Sequence, residues 1–437
     1  MHQTLRQLAL LALVFTLAIA AHAQYTETMN IGNLPGLYPN GPLTVDAAGN
    51  FYGTLPDGGS GQCYPYGCGV VYELPAGSQT PIVLYNFTGL TDGGGPGGRL
   101  TFDSKGNLYG VAAIGGNLSG CFGQGCGVVY ELSPSGSGWV ETVLYNFNGG
   151  TDGLEPSAGV VFDAKGNLYG VTSWGGPNTC WGGQNCGIVY KLSPNSDGTW
   201  TETIIHTFTG KFDGGEPYGQ LSIDSRGNLY GTAPGGGNLT ACAPNGCGVI
   251  FRMAPSSGGT FTFSRLYAFN NTLGANPTGY LTFDKAGNIY GNAFQGGKTG
   301  SGCPFTYCGV TFELVHQSNG TWKYAPLYSF TGGSDGANPE NGVTLDSSGN
   351  IYGTASYGGQ QLCGGSGYSP GCGTAFEITA ASGGKRTFNL IYSFSGFDGE
   401  IPNGSLLLDS SGNLFGTTVV GFTGFGNIIE LSPPAAK

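Results

Sequence analysis

The residues of this chain that could do chemistry are few and mostly acidic. It has four histidines. His2 and His22 lie at the N-terminus, so a histidine-based proton shuttle would have to use His206 or His316. His206 stands where equivalent stretches carry Tyr (Tyr85, Tyr145, Tyr267), and His316 ends a strand-like run, so both read as strand residues. A carboxylate pair needs no histidine: in glycoside hydrolysis one carboxyl donates a proton while a second attacks or activates water. Asp57 with Glu155 or Glu216 would be the carboxyls to test for such work, although no residue is assigned a catalytic role. No Ser-His-Asp order, phosphate-cradling loop or metal-binding helix is present.

The twelve cysteines fall into six close pairs: Cys63/Cys68, Cys121/Cys126, Cys180/Cys186, Cys242/Cys247, Cys303/Cys308 and Cys363/Cys372. Structural zinc takes four Cys or His ligands, and each pair offers two thiols with no histidine beside it. The expectation is therefore six local disulfides and no metal. Closing rings this short contributes about 2 kcal/mol each in the chain-entropy model and mainly pins glycine-rich loops.

These groups are positioned by a repeat. The phrase Gly-Asn-(Leu/Ile/Phe)-(Tyr/Phe)-Gly occurs seven times, beginning at Gly49, Gly106, Gly166, Gly227, Gly287, Gly349 and Gly412. Each copy is preceded by Gly-x-x-Pro, a short apolar run and an Asp. Each is followed by a glycine-rich loop and two further strand-like runs, such as Val128–Leu132 and Trp139–Phe147. Four strand-length segments per unit, turn residues between them and no helical period predict an all-β, seven-bladed β-propeller with four strands per blade. The last unit stops at Ile428–Leu431 without a fourth strand. Residues 25–31 match the missing text, so the N-terminal strand is expected to complete the last blade and leave no open edge. An open solenoid does not explain that match.

Most carboxylates belong to the repeat. Seven of the fourteen Asp precede x-x-Gly-Asn, where a turn-forming Asp bonds to backbone N–H groups; a calcium loop would need more acidic positions in succession. Five more (Asp92, Asp152, Asp213, Asp335, Asp398) begin Asp-Gly-x-x-Pro crossovers between units. They read either as turns or as an acidic ring around one mouth of the channel.

Crossovers and cysteine loops should emerge on one face, and ligands gather where loops on a rigid scaffold differ. Four residues beyond each phrase the copies read Asp57, Ile114, Trp174, Gly235, Gln295, Tyr357 and Val420. Nearby cysteine loops add Tyr64, Tyr66, Phe122, Trp181, Phe305, Tyr307 and Tyr368. Trp139, Trp200 and Trp322 share one repeated position and read as packing, whereas Trp174 and Trp181 do not recur. They are either blade caps or a platform for sugar rings. The ligand-binding candidates are therefore Asp57, Trp174, Trp181, Gln295, Tyr357, Phe305 and Tyr307.

Residues 1–23 combine Arg6, an apolar core and Ala21-His22-Ala23, the pattern of a secretory signal peptide cleaved near Ala23/Gln24. Residues 24–437 would form the single propeller domain, and no hydrophobic tail precedes Lys437, so a released extracellular or periplasmic protein is expected. Without the leader, 14 basic residues face 26 acidic ones, which disfavours nucleic acid and anionic lipid as partners. No cofactor is implied.

The unit Gly-Asn-Leu-Tyr-Gly, then Gly-Gly, then Cys…Gly-Cys-Gly-Val-Val-Tyr-Glu-Leu-Ser-Pro, as in residues 106–134, resembles the Gloeobacter/Verrucomicrobia tandem repeat of secreted or surface bacterial proteins with a choice of anchor. The resemblance spans nearly all of residues 30–432 and implies export and a repeat fold, with no established activity. The stretch Pro-x-x-x-Val-x-x-Asp-x-x-Gly-Asn-Leu-Tyr from Pro156 is also similar to NHL, gluconolactonase and streptogramin-lyase propellers, several of which are enzymes.

Two functions remain. One is a non-catalytic binding or scaffold module that presents its variable loops to a glycan or an extracellular protein. The other is an extracellular hydrolase or lyase acting on carbohydrate or a lactone-like substrate through channel-mouth carboxylates.

Overall fold

A computed structural model describes residues 24–435 except 40, 62, 64, 137, 301, 361–362, 364–370, 381–385 and 422–424. The leader, Tyr64 and Tyr368 lie outside the described residues. Seven four-stranded antiparallel units surround one axis as a β-propeller. Blade 2 shows the pattern: Gly94–Phe102, Leu108–Ile114, Val128–Ser135 and Gly138–Asn146 follow one another outward. In blades 1, 3, 4 and 6 the innermost strand shrinks to two residues, such as Thr44–Val45. The ring closes as expected: Thr26–Ile31 pairs antiparallel with Asn427–Ser432 and becomes the outermost strand of blade 7.

The repeated residues hold blades together. The final Gly of each phrase lies beneath an aromatic of the third strand in blades 1 to 6; a Cβ at Gly110 or Gly170 would overlap the ring of Tyr130 or Tyr190. Between blades, a fully buried Phe ending one outermost strand packs edge-on against that aromatic of the next blade, as in Phe87–Tyr130, Phe147–Tyr190 and Phe208–Phe251, at 5.1, 5.2 and 5.3 Å. Such pairs combine large apolar burial with favourable quadrupole geometry. Hydroxyls on the innermost strands add a further stitch: Thr44 donates to Leu100 O and Thr101 to Val160 O, one blade along.

All six expected pairs are disulfide-bonded, each within its own loop: Cys63–Cys68, Cys121–Cys126, Cys180–Cys186, Cys242–Cys247, Cys303–Cys308 and Cys363–Cys372. Each bond pins its loop and, through its second cysteine, also anchors that loop to the blade. Cys68, Cys126, Cys186, Cys247, Cys308 and Cys372 are buried, each 1% exposed or less. The reason is their place in the chain, one glycine before the third strand. There each sulfur joins the cluster of the buried Phe that ends the same blade's outermost strand: Cys68 with Phe87, Cys247 with Phe269, Cys308 with Phe330 and Cys372 with Phe394. Cysteine packs in such a site as a small hydrophobe, so each bond ties a loop to the blade's core. Six such bonds fit an oxidising compartment. Among the described residues no helix is long and apolar enough to cross a membrane.

Candidate functional site

The turn aspartates are fully engaged within their own repeat. Asp163 Oδ1 accepts the backbone N–H groups of Lys165 and Asn167, and its Oδ2 accepts from Asn167 Nδ2 and the Tyr169 hydroxyl. The crossover aspartates do not ring the channel. Asp92 accepts from the backbone and hydroxyl of Thr88 and from Tyr85; Asp335 does the same with Thr331 and Tyr328. Each crossover carboxylate therefore clasps the end of the preceding outermost strand, because the tyrosine that reaches it, or His206 in the case of Asp213, stands on that strand. The acidic-ring reading is corrected accordingly.

The seven positions from Asp57 to Val420 do form one ring. Each pairs with the innermost strand of its own blade: Leu37 with Asp57, Gly94 with Ile114, Leu154 with Trp174, Gly215 with Gly235, Ala275 with Gln295, Ala337 with Tyr357 and Glu400 with Val420. Next to this ring, the residue before each crossover proline takes a left-handed conformation in all seven blades. Tyr38, Gly95, Glu155, Glu216, Asn276, Asn338 and Ile401 have φ between 51° and 62°. Four of these positions (Tyr38, Glu155, Glu216 and Ile401) carry a side chain that disfavours this region, so the surroundings must hold it.

The buried cysteines supply that hold. In blades 2 to 7 the N–H of the mouth residue donates to the carbonyl of the preceding blade's second cysteine. The pairs are Gly95 to Cys68, Glu155 to Cys126, Glu216 to Cys186, Asn276 to Cys247, Asn338 to Cys308 and Ile401 to Cys372, at 2.6–3.1 Å. The disulfide loop of one blade thus fixes the mouth residue of the next.

That geometry joins two of the sequence candidates. The Trp174 side chain lies close enough to the Glu155 carboxyl to temper a pKa that burial pushes up. Burial alone raises Glu216 and Asp57, and Asp57 stands on blade 1, apart from both glutamates. Trp181 packs over Gly235, the blade 4 position of the ring, and its indole N–H donates to Pro244 O in the next cysteine loop. Phe305 packs between Phe294 and Tyr357, with centroids at 5.3 and 6.0 Å. Tyr307 joins a local bridge with Phe305, and Gln295 shows only its strand pairing.

Below the mouth, all seven blades line an axial cavity of about 70 Å³. Its notable side chains, Glu340, Tyr218, Arg99 and Tyr280, were missed by sequence reasoning. Glu340 is the cavity's one carboxyl among the described residues. Burial pushes it up to about 7, partly offset by Ser356, whose hydroxyl lies 3.5 Å from Oε2. Tyr218 is raised first by burial, then by Glu340 and Glu155, and Tyr357 by burial and then Glu340. Glu340 therefore lies within electrostatic reach of rings on two blades. Across the cavity the Arg99 guanidinium stands 5.8 Å from the Tyr280 ring centroid, a cation–π approach. The available signal was the residue after each crossover proline: Asn40, Gly97, Ser157, Tyr218, Thr278, Glu340 and Asn403 have no one chemistry in common.

The molecule is thus a closed seven-bladed propeller whose one mouth gathers carboxyls and aromatic rings around a narrow axial cavity. The model of the Gloeobacter/Verrucomicrobia repeat matches residues 12–178, 119–365 and 244–437, and the chain belongs to this family. Comparison with curated proteins gives no match. Among solved structures the chain is similar to a fungal alcohol oxidase of the AA5 family in complex with copper, at 16% identity and a TM-score of 0.54, covering 94% of this chain and 76% of that one. It is also similar to a candidate 6-phosphogluconolactonase of Bacteroides fragilis NCTC 9343, at 12% identity and a TM-score of 0.49, covering 82% and 85%. At these identities the likeness concerns fold alone.

Proposed function

We propose that this protein is an exported binding module whose ligand rests on the channel mouth, with Trp174 and Tyr357 as stacking surfaces and Glu155 and Glu340 as hydrogen-bonding groups. The observation that carries this reading is the size of the axial cavity. At about 70 Å³ it is several-fold smaller than the roughly 300–1,000 Å³ of pockets that enclose a small-molecule ligand. A sugar ring can therefore sit across the mouth but not sink into the channel. Rings that offer an apolar face beside carboxyls that bond hydroxyls suit a neutral glycan. A glycan array with the wild type, Trp174→Ala and Glu340→Gln tests it. Loss of the same glycan signal in both variants supports the reading, and equal signals in all three overturn it.

A second reading rests on the protonation of Glu340. A carboxyl titrating near 7 is matched to proton donation at neutral pH, and Tyr218 places Glu155 in the same electrostatic neighbourhood. Turnover of aryl glycosides or lactones, abolished in both Glu340→Gln and Glu155→Gln, would establish a hydrolase or lyase.

A further inference from the structure

The opposite face of the ring, where the Asp-x-x-Gly-Asn turns lie, carries a second feature that is independent of the mouth. One position of the third strand pairs with the phrase tyrosine or phenylalanine in every blade. It is occupied by Glu73, Glu131, Lys191, Arg252, Glu313, Glu377 and Glu430. Five blades carry Glu, and blades 3 and 4 reverse the charge. The turns beside these two blades add Lys165, Arg226 and Lys285.

These five cations line two adjoining grooves. The first, between blades 3 and 4, encloses about 680 Å³ and holds Lys165, Lys191 and Arg226. The second, between blades 4 and 5, encloses about 480 Å³ and holds Arg226, Arg252 and Lys285. Arg226 is shared, so the two form one continuous track. Among the described residues the ion pairs are His206–Asp213 and Arg386–Glu313, so none of the five cations has an acidic partner within 4.0 Å. The Arg252 Nε is buried without a hydrogen-bond partner. The carboxylates that share the grooves, Asp163, Asp224 and Asp284, spend their oxygens on their own turns. Aromatic rings complete the lining, with Phe162 and Phe261 in the first groove and Phe283 and Trp322 in the second.

We propose that this track binds an anionic polysaccharide, a chain of uronate-type sugars whose carboxylates meet the cations while its rings rest on the aromatics. The protein is acidic overall, with a net charge of −11, so five cations concentrated in two grooves mark one sector for a negative ligand. A planar lipid headgroup layer does not fit, because the cations line concave grooves that a flexible chain can follow and a bilayer cannot enter. Charge-assisted contacts of this kind weaken with ionic strength.

The test is retention of the full-length protein on immobilised polygalacturonate. Lys191→Glu/Arg252→Glu installs the residue that the other five blades carry. The new carboxylates meet Tyr169 and Tyr230, as Glu313 meets the Tyr290 hydroxyl at 2.6 Å, so this variant should fold. Lys165→Gln/Arg226→Gln, both on exposed turns, is a second variant should the first fail. The expected result is salt-sensitive retention of the wild type and of Lys323→Glu, which lies outside both grooves. Affinity should fall at least about tenfold in both double variants, with no retention on neutral dextran. Absence of wild-type retention, equal retention of the double variants, equal binding to dextran, or binding to phosphatidylglycerol vesicles in place of polygalacturonate would each overturn the proposal.

Discussion

The Trp181 indole donates to the Pro244 carbonyl at 3.0 Å, fastening the cysteine loop of blade 3 to that of blade 4. Its ring also covers Gly235, where any Cβ would overlap it. Trp174, seven residues earlier, instead stands beside the Glu155 carboxyl at the channel mouth and holds down its burial-raised pKa. The two tryptophans therefore hold different posts.

Trp181→Ala should lower stability by about 1–3 kcal/mol through lost packing and the lost hydrogen bond, and should leave binding at the mouth intact. Trp174→Ala should do the reverse. Urea melts together with binding titrations on both variants separate the two, and equal loss of binding would show that the tryptophans act together.

Glu340 should titrate near 7, well above an ordinary Glu. A carboxyl ¹³C titration with Glu340→Gln as the assignment control reads it directly. Because protonation converts an acceptor into a donor, affinity at the mouth should change between pH 6 and 8 in the wild type and stay flat in Glu340→Gln.

On the outer rim, burial with help from Asp92 raises Glu141 to about 7, and burial, partly offset by the Tyr145 hydroxyl and aided by Asp152, raises Glu202 to about 7. Each glutamate holds its proton more tightly folded than unfolded. Its contribution is therefore complete below the unfolded pKa near 4.5 and fades as pH rises towards 7. Compared with the wild type, Glu141→Gln/Glu202→Gln should be relatively more stable at pH 8 than at pH 5. Thermal melts at both pH values check the sign, and a pH-independent difference would contradict it.

The Cys121–Cys126 bond closes a ring whose second cysteine accepts the Glu155 N–H. Cys121→Ala/Cys126→Ala should cost about 2 kcal/mol and should also weaken ligand binding, because Glu155 loses the loop that holds its left-handed backbone. Cys363→Ala/Cys372→Ala should cost similar stability and touch the mouth less, since its loop supports Ile401. Denaturant midpoints and affinities for the two double variants decide between a local and a general effect.

Sequence alone determined the seven units, their four strands, the six disulfide pairs and closure by residues 25–31. Each of these is written in short stretches of text that recur about every 60 residues, and turn chemistry and strand alternation are local. It also identified Trp174, Glu155 and Tyr357 as places where the copies differ. What it could not supply was convergence. Cys68, Cys247, Cys308 and Cys372 lie in glycine-rich loops whose text carries no sign of burial, yet the blade core closes over them. Glu340, Tyr218 and Arg99 lie far apart in the chain and meet only because ring closure brings the stretch just after each crossover proline to one axis. The outward turn of Asp92 and Asp335 likewise depends on where Tyr85 and Tyr328 end. The charge reversal at Lys191 and Arg252 became a single track only once blades 3 and 4 stood side by side.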